Sequence, residues 1–495
     1  MLSARIGGLL SACTAVFLIT FALPAGAAPS GVDRISNDPF TATTAPTGQH
    51  RTEVEPDTFA FGSTVVSAFQ VGRINNGGAS DIGFAVSHDG GHSWSHGFLP
   101  AATTASTPPG PFVGGSDASV AFDLRHHTWL ISWLGLHELG GGIVDVVVSR
   151  STDNGRTWSA PVTVAATGVF FDKNWTACDD TPTSPFFGHC YTEFDNASQR
   201  DLEQMSTSTD GGLTWSAPAT TADNVRGLGG QPVVQPNGRV VVPFEGVARP
   251  GGIRSFTSDD GGLTWNASVL VATVSSHEVA GDIRTSPLPS AEISRDGTVY
   301  VVWQDNRFEP DGAANDIVLS TSSDGTTWSD VRRIPIDPVG SGVDHFIPGL
   351  AVDRTTAGPR TQLALAYYFY PSADCTAATC QLEVGFTSSR DAGRHWSNPH
   401  TLAGPMRLDW LANTTQGVMV GDYISTSMLA GQHRAVPVFA EATPPTGTVF
   451  DEPMAAARQT VRGGSIPMVD DPVLFTGGSP PVDPDATPAT SPTAF

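Results

Sequence analysis

Short runs in which apolar and polar positions alternate recur along this chain, as in Ile82-Gly-Phe-Ala-Val86 and Ile317-Val-Leu-Ser320. Successive side chains on a strand point to opposite faces, so such runs predict half-buried β-strands. A turn motif follows each run. A second short run, such as Ala160-Pro-Val-Thr-Val164, usually comes next. Strand, turn, strand predicts a hairpin, and the hairpin recurs.

The turn motif appears six times. The copies are Ser87-His-Asp-Gly-Gly-His-Ser-Trp94, Ser151-Thr-Asp-Asn-Gly-Arg-Thr-Trp158, Ser208-Thr-Asp-Gly-Gly-Leu-Thr-Trp215, Ser258-Asp-Asp-Gly-Gly-Leu-Thr-Trp265, Ser322-Ser-Asp-Gly-Thr-Thr-Trp328 and Ser389-Arg-Asp-Ala-Gly-Arg-His-Trp396, the fifth one residue short. Their tryptophans lie 64, 57, 50, 63 and 68 residues apart. That period marks a repeat architecture whose units stack to bury their apolar faces. Within each copy the Asp can accept amide hydrogen bonds of its own loop, Gly can supply a positive φ, and Trp can bury a large ring. The motif reads as scaffold.

These turns are Asp boxes, and the chain resembles the sialidase-like (BNR repeat) β-propellers, of secreted bacterial and actinobacterial type. The resemblance implies an all-β fold of four-stranded antiparallel blades. Six boxes end near residue 402, and residues 403–466 span one further period without a box. Strand-like runs at Gly417–Ser425, Arg434–Ala440 and Met454–Thr460 fill that period, with Arg34–Thr41 as a candidate outer strand closing the ring. Seven blades are therefore favoured over the six of true sialidases.

Export changes the picture next. Residues 1–27 read as a secretory signal, with Arg5, an apolar run to Leu23 and Ala25-Gly-Ala27. Leu10-Ser-Ala-Cys13 resembles a lipobox, but the apolar stretch continues past Cys13. The propeller is expected over 28–466, followed by a Pro/Gly/Thr-rich tail, 467–495, of disordered composition. The remaining cysteines form two close pairs, Cys178 with Cys190 and Cys375 with Cys380, which suits local disulfides in an exported chain. The expected product is a secreted, extracellular monomer with no membrane span.

A net charge of −23 argues against nucleic acid as a partner. It leaves an extracellular glycan or polysaccharide open. Arginine outnumbers lysine 25 to 1, and the single lysine is Lys173. Codon drift that replaced lysine elsewhere spared this one, which points to a charge clamp or a base of lowered pKa.

Boxes joining strands 3 and 4 fix one face of the disc, so every inner strand begins on the other. The polar residues there are Glu53, Glu55, Asp117, Asp172, Lys173, Asn174, Gln231, Arg284, Asp344, His345, Asp422 and Tyr423. Strand-2 ends add Gln70, Arg73, Tyr191, Glu193, Glu245, Asp305, Arg307 and Glu441. Carboxylates crowded at one axis acquire perturbed pKa values, as acid–base chemistry requires. Candidate catalytic residues are Lys173, Asp172, Glu193, Tyr191, Asp305 and Asp81. Candidate substrate-binding residues are Arg73, Arg284, Arg307, Asp117, Glu55, His345, Asp422 and Tyr423. An acid six residues before four boxes (Asp81, Asp145, Asp316, Glu383) reads as architectural. No metal or cofactor is assigned: an acidic face would suit Ca²⁺, but no contiguous ligand loop is present.

The sialidase resemblance implies three arginines on the sugar carboxylate, a Tyr nucleophile paired with Glu, and an Asp acid/base. Tyr191 with Glu193 would supply the couple and Asp81 the acid. The Arg-Ile-Pro string expected before the first box occurs only as Arg333-Ile-Pro335, after the fifth. Three functions stand: a glycoside hydrolase acting on extracellular glycans, a glycan- or protein-binding propeller, or a polysaccharide lyase using Lys173 or His345 with Tyr191 or Tyr423.

Overall fold

The computed structural model describes residues 31–247 and 251–470. The signal segment, the lipobox cysteine and most of the tail lie outside the described residues.

Strands Glu53–Phe61, Thr64–Arg73, Ala79–Ser87 and Ser95–Phe98 form a four-stranded antiparallel blade. The inner strands that follow are Gly114–Asp123, Phe171–Cys178, Val233–Val234, Ser290–Ile293, His345–Val352 and Ser425–Leu429. Each begins one antiparallel unit, blades 1 to 7 in sequence order, with blades 1 and 2 joined into one eight-stranded sheet by the Ala79–Gly115 pair. Successive inner strands touch in cyclic order, and the seventh returns to the first.

Closure is made by the chain's beginning. Val32–Arg34 pairs antiparallel with Met454–Ala457 as the outermost strand of blade 7. The pairing segment thus ends at Arg34, whereas Arg34–Thr41 was expected; beyond Ile35 the chain turns into a loop. In the same blade the inner strand is Ser425–Leu429, and Gly417–Met419 instead forms a small hairpin with Ala412–Thr414. The described chain also pairs past 466: Ile466–Pro467 joins His395–Trp396, and Val469–Asp470 joins Arg332–Arg333.

All six boxes lie at the turn between a third and a fourth strand, on what we call the bottom face. In the second, Asp153 Oδ1 accepts from the amides of Arg156 (3.1 Å) and Thr157 (2.9 Å), and its Oδ2 accepts from Thr157 Oγ1 (2.6 Å). Ser151 Oγ donates to Asp153 Oδ1 (2.8 Å) and accepts from Gly155 N (2.9 Å). The shortened fifth box keeps the scheme by shifting one residue, with Asp324 Oδ1 accepting from Thr326 and Thr327 amides. Box tryptophans pack between blades: Trp265 meets Tyr191 edge-on at 6.3 Å, and Trp396 is fully buried. At ~25 cal/mol per Å² and ~200 Å² of ring, each contributes up to about 5 kcal/mol. Gly262, at φ 85°, lets the fourth box approach that interface, since a Cβ there would lie 2.9 Å from Tyr191 Cε1. Disulfides Cys178–Cys190 and Cys375–Cys380 are both present. Among the described residues no helix is long and apolar enough to cross a membrane.

Candidate functional site

The top face opens on a repeated irregularity. Inner strands of blades 1, 2 and 3 slip register between Val54 and Asp57, Ser116 and Ser119, and Asp172 and Trp175. At each slip one non-glycine residue takes a positive φ: Glu55 (55°), Asp117 (45°) and Lys173 (50°). Left-handed backbone at such residues costs ~1–2 kcal/mol apiece and persists where surrounding structure compels it. A bulge re-aims the side chain it carries. Blade 6 has the same bulge, but it bears Ile347 (φ 49°).

The three re-aimed side chains meet one another. Lys173 Nζ donates to Asp117 Oδ1 (3.2 Å) and to Asp422 Oδ2, and lies 3.7 Å from Glu55 Oε1. Arg284 Nη2 donates to the same Asp422 oxygen, while Asp422 Oδ1 has no partner. Glu55 Oε1 accepts from the Asp422 amide (3.1 Å), and Oε2 accepts from Gln70 Nε2. Gln70 in turn accepts from Arg73 Nη1 (3.2 Å), and Ser116 Oγ donates to Asp117 Oδ2 (2.6 Å). Tyr423 stands edge-on to Trp175 at 5.1 Å, its ring 6.0 Å from the Lys173 ammonium and its hydroxyl unpartnered. Side-chain exposures are 2% for Glu55, 4% for Asp117, 6% for Lys173 and 3% for Asp422, so the charges interact with little solvent screening.

Burial sets the electrostatics, and neighbours then divide the carboxylates. Glu55 is pushed up to about 8 by burial, against the Lys173 charge and with the Asp117 and Asp422 charges adding. Burial would also raise Asp422, but the Arg284 and Lys173 charges outweigh it and hold the carboxyl below its usual range. Burial opposes the Lys173 ammonium, yet Asp117, Asp422 and Glu55 together raise its pKa well above the ordinary value. That direction is opposite to the lowered pKa of a lysine base and is the one a charge clamp has. Asp172 rises to about 6 by burial, less what Lys173 takes back, and Glu245 rises to about 7 by burial and the Asp422 charge. Above the network lies a cavity of ≈30 Å³ lined by Glu55, Arg73, Asp117, Asp172, Lys173 and Arg284, close to one water's share of liquid volume.

Arg284 reaches the axis on a strap, residues 274–289, between blades 4 and 5. Tyr370 Oη donates to Ala280 O (2.9 Å), Arg284 N to Val418 O (2.8 Å), and the His277 ring meets Asp344 Oδ1 at 3.2 Å. The strap is thus tied to blades 6 and 7 over the network.

Six expected site residues lie elsewhere. Tyr191 is fully buried in the blade 3–4 interface against Trp265, at the box end of its strand, with its hydroxyl unpartnered. Glu193 projects into that interface beside Gly230, near Asp195 and Glu203, and burial with the Glu203 charge raises it well above the carboxylate range. The Tyr191–Glu193 couple therefore does not reach the axis. Asp305 is spent on Arg307 (2.8 Å), the Arg307 amide and Trp303 Nε1, and Arg307 is spent in return on Asp305 and Thr273 O. Asp81 takes Ser106 Oγ (2.9 Å) and the Ile82 amide, pinning the loop after the first box. His345 is sandwiched between Phe369 and Tyr367, and burial lowers it to about 4. Other polar strand ends tie blades together: Gln231 accepts from the Ala291 amide, and Glu53 accepts from Ser36 at the closing seam. Ser116 was not singled out from the sequence; its only signal was adjacency to Asp117.

Residues 130–347 match the family model of the BNR repeat-like domain. No curated protein matches the chain. Among solved structures, a Dyadobacter fermentans protein of unknown function is 15% identical, with 88% of this chain and 100% of that one covered at a TM-score of 0.46. The leech intramolecular trans-sialidase is 12% identical, covering 86% and 70% at 0.42. A PL25 ulvan lyase is 11% identical, covering 88% and 99% at 0.48. Residues 130–347 thus carry a BNR repeat-like domain, set in a chain whose six boxes are hydrogen-bonded alike with an antiparallel sheet behind each.

Proposed function

We propose that the chain is a secreted glycoside hydrolase acting on extracellular glycans, with Glu55 as acid and Asp422 as its ionised partner. One observation carries this reading. A carboxyl raised to about 8 and a carboxylate held ionised meet at a single ammonium, and such divergence supports an acid and a base role. Both reach the same Nζ, so Glu55 Oε1 and Asp422 Oδ2 are at most about 6 Å apart, short of the ~6.5–9.5 Å of inverting glycosidases. Glu55 would protonate the leaving oxygen, and Asp422, through its unpartnered Oδ1, would attack the anomeric carbon. Water then releases the sugar with Glu55 as base. Lys173 and Arg284 keep Asp422 ionised, and entry requires the strap to lift.

The substrate class that fits is non-sialic. Arg307 is consumed by Asp305, so Arg73, Arg284 and Arg307 do not converge as three carboxylate-binding arginines. A glycan-binding propeller is the second reading, favoured by a network whose charges satisfy one another beneath a cavity of ≈30 Å³. Product mass spectrometry on a mixed glycan panel separates them, with Glu55→Gln and Asp422→Asn alongside. A saturated sugar released by the wild type and lost in both variants supports the hydrolase. Binding without product supports the second reading, and an unsaturated uronate would replace both with a lyase.

A further inference from the structure

Away from the axis, Arg333, the arginine of the misplaced Arg-Ile-Pro string, bridges two carboxylates. Its Nη2 meets Asp316 Oδ1 at 2.7 Å and also Asp337 Oδ1. Asp316 opens the third strand of blade 5, Asp337 lies in the loop after that blade's outer strand, and His345 opens the inner strand of blade 6. One ligand atom from each of Asp316, Asp337 and His345 lies within 4.8 Å of the others. Asp316 and His345 are each 1% exposed. Asp316 Oδ2 and His345 Nδ1 are buried without hydrogen-bond partners, whereas buried polar atoms are paired as a rule. Stacking on Phe369 at 6.0 Å and the edge contact with Tyr367 at 5.6 Å fix the imidazole plane.

We propose that Asp316, Asp337 and His345 bind a divalent transition cation, Zn²⁺ in the first place, which staples blade 5 to blade 6. Two carboxylates and one guanidinium leave a single net negative charge for a divalent ion to balance. Mixed imidazole and carboxylate donors suit Zn²⁺, while Ca²⁺ and Mg²⁺ take oxygen ligands. Arg333 holds each carboxylate by Oδ1 and Ser341 Oγ donates to Asp337 Oδ2, which leaves Asp316 Oδ2 open and fixes both orientations, as outer hydrogen-bond partners do in metal sites. The site shares no residue with the axial network, so it stands or falls separately from the hydrolase reading.

The test loads the full chain with ZnCl₂, desalts it, and counts zinc by inductively coupled plasma and native mass spectrometry. About one zinc per chain is expected, falling at least ~10-fold in His345→Gln and in Asp337→Asn. Zinc should also raise the wild-type Tm and leave both variants unmoved. Asp337 lies in a half-buried loop, so its variant keeps the test sharp should His345→Gln fail to fold. Absence of retained zinc, equal retention in both variants, or retention of Ca²⁺ in its place overturns the proposal.

Discussion

Replacing Lys173 with methionine tests the axial network most directly. The side chain keeps similar bulk and loses the one ammonium that Asp117, Asp422 and Glu55 share. Arg284 still holds Asp422, and Asp117 is left buried with the Ser116 hydroxyl but without the ammonium. Removing one member of a buried ion pair costs ~3–5 kcal/mol. The described chain holds some 440 residues, and at ~2.1 cal/mol/K per residue each kcal/mol lowers Tm by about 1 °C in a two-state transition. Thermal unfolding followed by circular dichroism should therefore show a fall of about 3–5 °C. The deficit should be larger at pH 8 than at pH 5: without the ammonium, Asp422 takes up a proton more readily, and the folded variant is relieved as pH falls. Lys173→Arg keeps the charge but forces a planar fork into a site 6% exposed, with an expected loss of ~1–3 kcal/mol. A Lys173→Met Tm within 1 °C of wild type at both pH values would refute the clamp.

Three further expectations follow from the same physics. Burial raises Glu53, Asp57, Asp81 and Asp180 to about 7, so the folded state binds more protons than the unfolded one between pH 4 and 7, and stability falls as pH rises through that window. One carboxyl moved from 3.8 to about 7 corresponds to up to ~4 kcal/mol; a Tm that climbs from pH 5 to pH 8 would contradict this. Asp153→Ala strips two amides and two hydroxyls of their acceptor and should cost ~1–3 kcal/mol in urea unfolding, with glycan turnover unchanged. Glu55→Gln should lower kcat at least ~100-fold with Tm within about 2 °C of wild type, whereas Arg307→Ala should lower Tm and spare kcat; the reverse pattern would move the site to Asp305.

Much of the axial site was legible because strand order alone decides which loops share a face. Glu55, Asp117, Lys173, Arg284, Asp422 and Tyr423 follow from locating inner-strand starts, and Lys173 from being the single lysine among 25 arginines. Glu193, Tyr191 and Asp305 sit on second strands, Tyr191 at the box end, and Glu193 and Tyr191 are turned into a blade interface. Their environment was set by the neighbouring blade, through Gly230 and Trp265, residues far along the chain.

The sequence by itself determined the repeat, the box turns, the disulfide pairs and the face on which polar strand ends gather, because each depends on local spacing or on strand alternation. Tertiary structure alone decided which polar residues meet. One-residue bulges at Glu55, Asp117 and Lys173 redirect three side chains to the axis, and a slip of one residue reverses every direction that a period of two predicts. The partners Asp422 and Lys173 come from different blades, so only closing the ring brings them within reach.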